Sequence, residues 1–145
     1  MGKMNDASGL SAEDERAITG VLVRYATGAD RRDWELFASC FTQDLVAEYD
    51  GLGSWQGRDA LVDFMNKGTA QGGLTMHKLT NFVIFGSGDR ATATCYVDAL
   101  LMPLEPGGKV RRANGRYEDQ LVRDKDGWKI TKRHFIPVQI AETTV

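Results

Sequence analysis

The chain has 145 residues, of which 42% are hydrophobic and 26% charged, and its formal net charge is −2. This length suits one ordinary domain, and the composition is close to the average of globular proteins, which excludes a disordered or fibrous chain. The basic residues are scattered, so we expect no nucleic-acid partner. No stretch approaches the roughly 18 apolar residues of a membrane span, and the N-terminus lacks the apolar run of a signal peptide. We therefore expect a cytoplasmic protein without a membrane partner.

Cysteine and histidine are too sparse for most metal sites. Cys40 and Cys95 lie far apart and outside any CxxC spacing, and His77 and His134 are the two histidines. A zinc site needs three or four such ligands at suitable spacing. We expect two buried thiols, no metal and no cofactor.

The first half of the chain predicts helices. Residues 1–10 are polar and are expected to form a flexible tail, and residues 11–145 a single domain. Ser11 suits a helix N-cap, and the helix that it begins ends near Asp30. Its apolar positions recur every three or four residues and form one buried stripe: Ile18, Val21, Leu22, Tyr25, Ala26 and Ala29.

Two further helices are predicted before the pattern changes. Asp33 can cap a short helix that carries Trp34, Leu36, Phe37 and Phe41. After a strand over residues 45–49 and a glycine-rich turn, a third helix runs from about Arg58 to Lys67 and stops at Gly68.

The second half of the chain predicts strands. Four β-rich segments are separated by turn sequences, at residues 74–85, 91–104, 110–123 and 128–138. They are typical of an antiparallel meander. Helices followed by strands indicate an α+β fold, with about three N-terminal helices packed on one face of a curved, mostly antiparallel sheet.

Asp30 and His77 are candidates for acid/base chemistry. A carboxylate is poorly placed at a helix C-terminus, so Asp30 is either a solvated loop or capping residue or a buried group with a donor partner. His77 alternates with Thr75 and Leu79 in an apolar strand, where it is either a satisfied structural residue or a catalyst. An aspartate within reach would orient the imidazole and stabilise its protonated form.

The chain resembles the SnoaL-like superfamily, whose nuclear transport factor 2-like (cystatin-like) fold is a cone. The segments that carry the resemblance are RYATGADRRDW, TMH and GRYEDQLVRDKDGWKITKR, and it covers about residues 18–134. Within that superfamily the chain is similar to scytalone dehydratase, bile-acid 7α-dehydratase and hexachlorocyclohexane dehydrochlorinase. The DGWKI segment supports the fold more than the function.

The resemblance implies a catalytic set. Asp30 and His77 match the catalytic pair of the dehydratases, Tyr25 matches a tyrosine of the bile-acid enzyme, and Arg133 matches a C-terminal arginine. Asp98 aligns loosely with a further acidic residue. The tyrosine that directly precedes the aspartate in scytalone dehydratase is Ala29 here, which argues against scytalone-like substrates.

Each of these residues has a structural alternative. Tyr25 lies on the apolar helix stripe and could be a core residue. Arg133 points into the pocket or away from it, depending on whether a β-bulge interrupts the alternation. Asp98 could face solvent. An apolar pocket for a ring-shaped substrate is expected from a group of side chains that could equally be core: Phe37, Phe64, Met65, Phe82, Leu100 and Met102.

These features predict a cofactor-free lyase, a dehydratase or related HX eliminase, that acts on a hydrophobic cyclic or polyketide-like small molecule. One alternative is an isomerase of the ketosteroid isomerase kind or a polyketide cyclase on the same fold. Another is a non-catalytic binding or assembly module, like the small subunits of ring-hydroxylating dioxygenases. Because Val83, Phe85 and Val97 are expected on the outer face of the sheet, a homotrimer or homodimer is also predicted.

Overall fold

A computed structural model describes residues 8–144. Within this range the chain forms helices and strands in the following order: α1 Ala12–Arg31, α2 Trp34–Ala38, β1 Phe41–Tyr49, β2 Gly53–Gln56, α3 Arg58–Ala70, β3 Gly72–Ser87, β4 Arg90–Pro103, β5 Lys109–Asp124 and β6 Gly127–Thr144. Among these residues no helix is long and apolar enough to cross a membrane. The predicted tail, residues 1–10, falls mostly outside the described range.

Helix α1 begins and ends through identifiable contacts. The Ser11 hydroxyl accepts a hydrogen bond from the Asp14 N–H at 3.0 Å, which confirms the predicted N-cap. The predicted apolar stripe is buried. At the other end Arg32 adopts a left-handed conformation with φ 57°, and its N–H donates to the Ala29 carbonyl at 3.2 Å. This turn reverses the chain into α2.

The two shorter helices differ from their predicted ends. The Asp33 cap of α2 is confirmed, since its carboxylate accepts from the Leu36 N–H at 2.9 Å. Phe41 was predicted on this helix and lies instead in β1, because the Ile130 N–H pairs with the Cys40 carbonyl at 2.8 Å and starts the strand there. Helix α3 passes through Gly68, so the predicted stop at this glycine is wrong.

The strands form a single six-stranded sheet among the described residues, in the order β2-β1-β6-β5-β4-β3. The predicted meander is confirmed: β3 to β6 are consecutive antiparallel neighbours. Strand β1 lies parallel to β6, and β2, which was predicted as part of a turn, pairs with β1 at the sheet edge. The helices are packed on one face of the sheet, which confirms the α+β class.

Two irregularities change which side chains face the helices. In β3 the pairing shifts between Thr80 and Val83, and Asn81 there has φ 55°. Side chains on both sides of this bulge, such as His77 and Phe82, therefore point to the same face of the sheet. In β6 the pairing with β5 shifts around Thr131. An extra residue at a bulge reverses the alternation that follows it.

The outer face of the sheet carries several exposed apolar side chains. Val83 and Phe85 are 40% and 38% exposed there, as predicted. Val97 was predicted beside them, but it is only 3% exposed and belongs to the core. The residue that takes its place on the outer face is its neighbour Tyr96, which is 55% exposed.

Candidate active site

A cavity of about 130 Å³ lies between the helices and the inner face of the sheet. Apolar side chains such as Leu101 and Phe135 form most of its wall. The wall also carries polar side chains from different elements: Tyr25, Tyr49, Thr69, Thr75, His77 and Tyr117. A small apolar cavity with a few convergent polar groups is the usual form of a ligand site.

Asp30 is in direct contact with His77, which lines this cavity. The His77 Nδ1 lies 2.6 Å from the Asp30 Oδ1, and the His77 backbone N–H donates to Oδ2 at 2.8 Å. The Thr75 hydroxyl donates to Oδ1 at 2.9 Å. These donors offset the unfavourable position of a carboxylate at the end of α1. Both side chains are largely buried, with 16% of His77 and 22% of Asp30 exposed.

The electrostatics keep Asp30 ionised. Burial raises the pKa of Asp30. The hydrogen bonds from the His77 side chain and backbone and from Thr75 lower it by a larger amount, so this pKa lies below its ordinary value. An ionised carboxylate can only accept hydrogen bonds, so the His77 Nδ1 carries a proton. His77 lines the cavity, and its other ring nitrogen, Nε2, is the one left for a ligand.

Arg32 contacts this pair through Thr75, and the sequence interpretation missed it. Its Nη1 donates to the Thr75 hydroxyl at 2.9 Å and to the Ala29 carbonyl at 2.8 Å. Its Nη2 donates to the Gly73 carbonyl at 2.8 Å. The guanidinium thereby ties the end of α1 to the beginning of β3.

The hydroxyls of three buried tyrosines that line the cavity lie close together. The Tyr25 hydroxyl lies 2.8 Å from that of Tyr49 and 3.5 Å from that of Tyr117. Burial raises the pKa of all three phenols, so they stay protonated at neutral pH. The sequence interpretation found Tyr25 alone; Tyr49 and Tyr117 alternate with polar residues on their strands, which was the available signal.

Arg133 lies beneath the tyrosines and does not line the cavity. It is fully buried, and its Nε and Nη2 donate to the Asp119 carboxylate at 2.8 and 2.7 Å. Its guanidinium carbon lies 4.0 Å from the ring centres of Tyr25 and of Tyr117. The bulge at Thr131 puts Arg133 on the inner face of the sheet, which is one of the two predicted outcomes. There its guanidinium binds Asp119 and packs against the aromatic rings instead of facing the cavity.

Of the predicted ligand-binding residues, Met65 lines the cavity and three on β4 do not. Asp98, Leu100 and Met102 alternate with the inward-facing Ala99 and Leu101, so their predicted positions in the pocket are wrong. The Asp98 carboxylate instead lies 3.2 Å from the Lys78 Nζ.

The three predicted phenylalanines also lie outside the cavity wall. Phe37 is fully buried beneath Tyr25, with 5.0 Å between the ring centres. Phe64 stacks on Trp55 at 4.4 Å and is 38% exposed, and Phe82 packs against the core. Their predicted place in the pocket is therefore wrong: Phe37 and Phe82 belong to the core without reaching the cavity, and Phe64 packs on Trp55 outside it. The His134 Nε2 lies 2.8 Å from the Asp50 Oδ1 and does not line the cavity.

Comparison with solved structures finds the same architecture in several proteins. A candidate aromatic ring hydroxylase from Novosphingobium aromaticivorans is 28% identical, with a TM-score of 0.85 over 92% of this chain and 96% of that chain. A candidate scytalone dehydratase from the same organism is 24% identical, with a TM-score of 0.81 over 90% and 87%. A hexachlorocyclohexane dehydrochlorinase from Novosphingobium barchaimii is 21% identical, with a TM-score of 0.80 over 90% of both chains.

Sequence comparison agrees with the structural one. The family model described as a SnoaL-like domain matches residues 10–134, which is most of the chain and includes Tyr25, Asp30, His77 and Arg133. The resemblance expected from the sequence is thereby confirmed, and the chain belongs to the SnoaL-like domain family.

Proposed function

We propose that the protein is a lyase that removes water or HX from a hydrophobic, single-ring molecule, with His77 as the base. One observation carries this proposal: the His77 Nδ1 lies 2.6 Å from the Asp30 carboxylate, and His77 lines the cavity. A histidine oriented by a carboxylate and open to a ligand is the arrangement that general base catalysis needs.

The cavity volume restricts the substrate. An apolar cavity of about 150 Å³ accommodates benzene, and the cavity here is about 130 Å³. A single six-membered ring therefore fits more readily than the fused rings of a polyketide or steroid. The apolar wall favours a ring with few polar substituents.

In the proposed reaction the His77 Nε2 takes a proton from a ring carbon beside an activating group. The electrons of that C–H bond form the new C=C bond, and the neighbouring leaving group departs with the electrons of its own bond. For loss of water the imidazolium returns its proton to the leaving hydroxyl; for loss of halide the proton goes to solvent. Asp30 stabilises the imidazolium in between. The reaction is redox-neutral and needs no cofactor.

The tyrosines supply the hydrogen bonds that this reaction requires. Three hydroxyls hold three protons, and the two contacts among them use two. One hydroxyl is therefore free to donate to a developing enolate oxygen or to the leaving group. A donor placed where charge develops typically lowers the activation free energy by about 2.7–4 kcal/mol.

Product analysis with the purified protein tests the proposal. Hydroxylated and halogenated six-membered rings are incubated with it, and the expected product has lost the mass of water or HX. We expect His77→Gln to lower the rate about 10²–10⁴-fold. His134→Gln serves as the control, because His134 contacts Asp50 rather than the cavity.

The outcomes separate the competing functions. A product of unchanged mass would replace the lyase by an isomerase or cyclase that uses the same base. Ring compounds that bind without any conversion would favour the non-catalytic module, although a cavity that reaches His77 argues for an enzyme.

We also propose that the protein forms a homodimer or homotrimer through the outer face of β3 and β4. Met76 and Tyr96 are 48% and 55% exposed there. Lys78 and Asp98 pair on the same face, so it carries both charges and can meet a second copy of itself without net repulsion. In sedimentation velocity we expect a multimer that Tyr96→Lys dissociates. Val23→Lys on α1, 46% exposed in the wild type, should leave it intact; a wild-type monomer would overturn the proposal.

A further inference from the structure

We propose that Arg32 is a positioning residue that acts through Thr75, by fixing the direction in which the Thr75 hydroxyl donates to Asp30. The inference deepens the proposed function and rests on it, because it assigns Arg32 and Thr75 to the support of the same Asp30 and His77 pair. Arg32 itself does not line the cavity.

The direction follows from what each group can donate. A guanidinium nitrogen has only donors, so at the 2.9 Å contact with Arg32 Nη1 the Thr75 oxygen is the acceptor. A hydroxyl has one proton, and that of Thr75 is then free for the Asp30 Oδ1 at 2.9 Å. Without the guanidinium, the Thr75 hydroxyl could turn its proton to another acceptor.

The consequence reaches the imidazole through the carboxylate. The Asp30 Oδ1 accepts hydrogen bonds from the Thr75 hydroxyl and the His77 Nδ1, while Oδ2 accepts one from the His77 backbone N–H. Donors on both oxygens fix the rotation of the carboxylate and hold it ionised. A fixed, ionised carboxylate holds the proton on the His77 Nδ1 and leaves Nε2 as the basic nitrogen.

The backbone of Arg32 supports a role for its side chain. A left-handed φ of 57° is uncommon for a residue other than glycine, and glycine is the usual choice at this point of a helix end. The arginine is kept in place by bonds from its guanidinium to acceptors on two elements, the Ala29 carbonyl, the Gly73 carbonyl and the Thr75 hydroxyl. Capping of α1 alone would not need the contact with Thr75.

A double-mutant cycle read by NMR tests the inference in the full chain. The pKa of the Asp30 carboxyl is followed through its ¹³C signal in the wild type, Arg32→Gly, Thr75→Val and the double variant. We expect each single variant to raise the pKa of Asp30, because Thr75→Val removes the hydroxyl donor and Arg32→Gly leaves that hydroxyl free to turn to another acceptor. The double variant should raise it no further than Thr75→Val does, since groups that act through one contact are not additive.

Matched variants separate this role from a structural one. Thr75→Ser retains the hydroxyl and should restore the wild-type titration. Arg31→Ala removes an exposed charge from the same helix end and should leave the pKa of Asp30 unchanged. Glycine suits the left-handed backbone, so Arg32→Gly should fold; if it does not, Arg32→Met, which keeps the aliphatic stem, takes its place in the cycle.

Two results would overturn the inference. Additive shifts in the double variant would show that the charge of Arg32 acts on Asp30 without Thr75. An unchanged titration in Arg32→Gly would show that Arg32 only caps the helix. Neither result depends on a substrate, so a protein that lacks lyase activity would refute the proposed function and leave this titration informative.

Discussion

At the scale of single residues, Asp30 combines two opposing influences. It lies at the C-terminal end of α1, where the helix dipole disfavours a carboxylate, yet three donors from β3 reach its oxygens. The donors prevail, because the pKa of Asp30 lies below its ordinary value. The contact is therefore a source of stability as well as a candidate for catalysis.

This balance predicts a pH dependence of stability. A group whose pKa is lower in the folded state stabilises the fold above its unfolded pKa of about 3.9, and the contribution is lost as pH falls toward the folded pKa. We expect Asp30→Asn to be less stable than the wild type at about pH 6, with the difference shrinking by about pH 3. Urea denaturation of both proteins at each pH measures it. A difference that stays constant would show that Asp30 does not stabilise as an anion.

At the scale of the elements, α1 and α2 approach each other at Gly28. A Cβ added there would lie 2.8 Å from the Phe37 backbone nitrogen, too close for any side-chain rearrangement to relieve. At Gly20, on the same helix, the nearest atom to an added Cβ is the end of the flexible Arg24 side chain at 3.5 Å. A side chain can therefore be added at Gly20 but not at Gly28, and substituting the two glycines should change stability in opposite directions.

We expect Gly28→Ala to destabilise the protein by about 1–3 kcal/mol, the usual cost of overpacking. Gly20→Ala should stabilise it by up to about 1 kcal/mol, because alanine is the better helix former. The free energy of unfolding in urea measures both. Equal effects of the two substitutions would mean that α1 and α2 are further apart than described.

Strands β5 and β6 are joined inside the core by Asp119 and Arg133. We expect Asp119→Ala to cost about 3–5 kcal/mol, because it leaves the fully buried guanidinium without its carboxylate. Replacing both residues together, as Asp119→Leu with Arg133→Met, should be much less costly, since well-packed apolar groups often substitute for a buried ion pair. Thermal or urea unfolding compares the two. A double variant as unstable as Asp119→Ala would contradict this account.

Most elements could be predicted from the sequence because their signals are local. The Ser11 and Asp33 caps and the turn sequences between the last strands mark helix starts and hairpins directly. What could not be predicted depends on contacts between distant residues: β1 is extended by pairing with β6, and Gly68 stays helical because nothing local forces α3 to end there. Helix ends without a strong breaker are decided by tertiary contacts.

The same distinction separates the parts of the candidate site. The Asp30 and His77 pair could be proposed from the sequence because both residues lie in segments that carry the resemblance. The face of Arg133 depends on a bulge, and strict alternation along β4 turns Leu100 away from the cavity. Arg32 was missed because its hydrogen bond is to Thr75, 43 positions further along the chain.

At the scale of the whole molecule, one core joins all of these parts. The buried cluster takes side chains from α1, α2, α3 and the inner face of the sheet. Trp34 lines the cavity, Trp55 lies on β2 and Trp128 on β6, so the three tryptophans sample different parts of the fold. A single core of this size usually unfolds in one step.

We expect variants that keep one tryptophan and replace the other two by Phe to unfold as a unit. In each variant the fluorescence and circular dichroism transitions in urea should coincide at a fixed protein concentration. An earlier transition for Trp55 alone would show that the edge strand β2 opens independently.

The parallel pairing of β1 with β6 has a consequence for synthesis on the ribosome. Residue 41 pairs with residue 130, so β1 is translated well before β6, its neighbour on the side opposite β2. The chain emerges at about 5–20 residues per second, so during that delay β1 has β2 as its sheet neighbour and α1 lacks its contacts with β6. Strand β6 thus completes both the pairing of β1 and the buried layer of Arg133 against which the tyrosines pack.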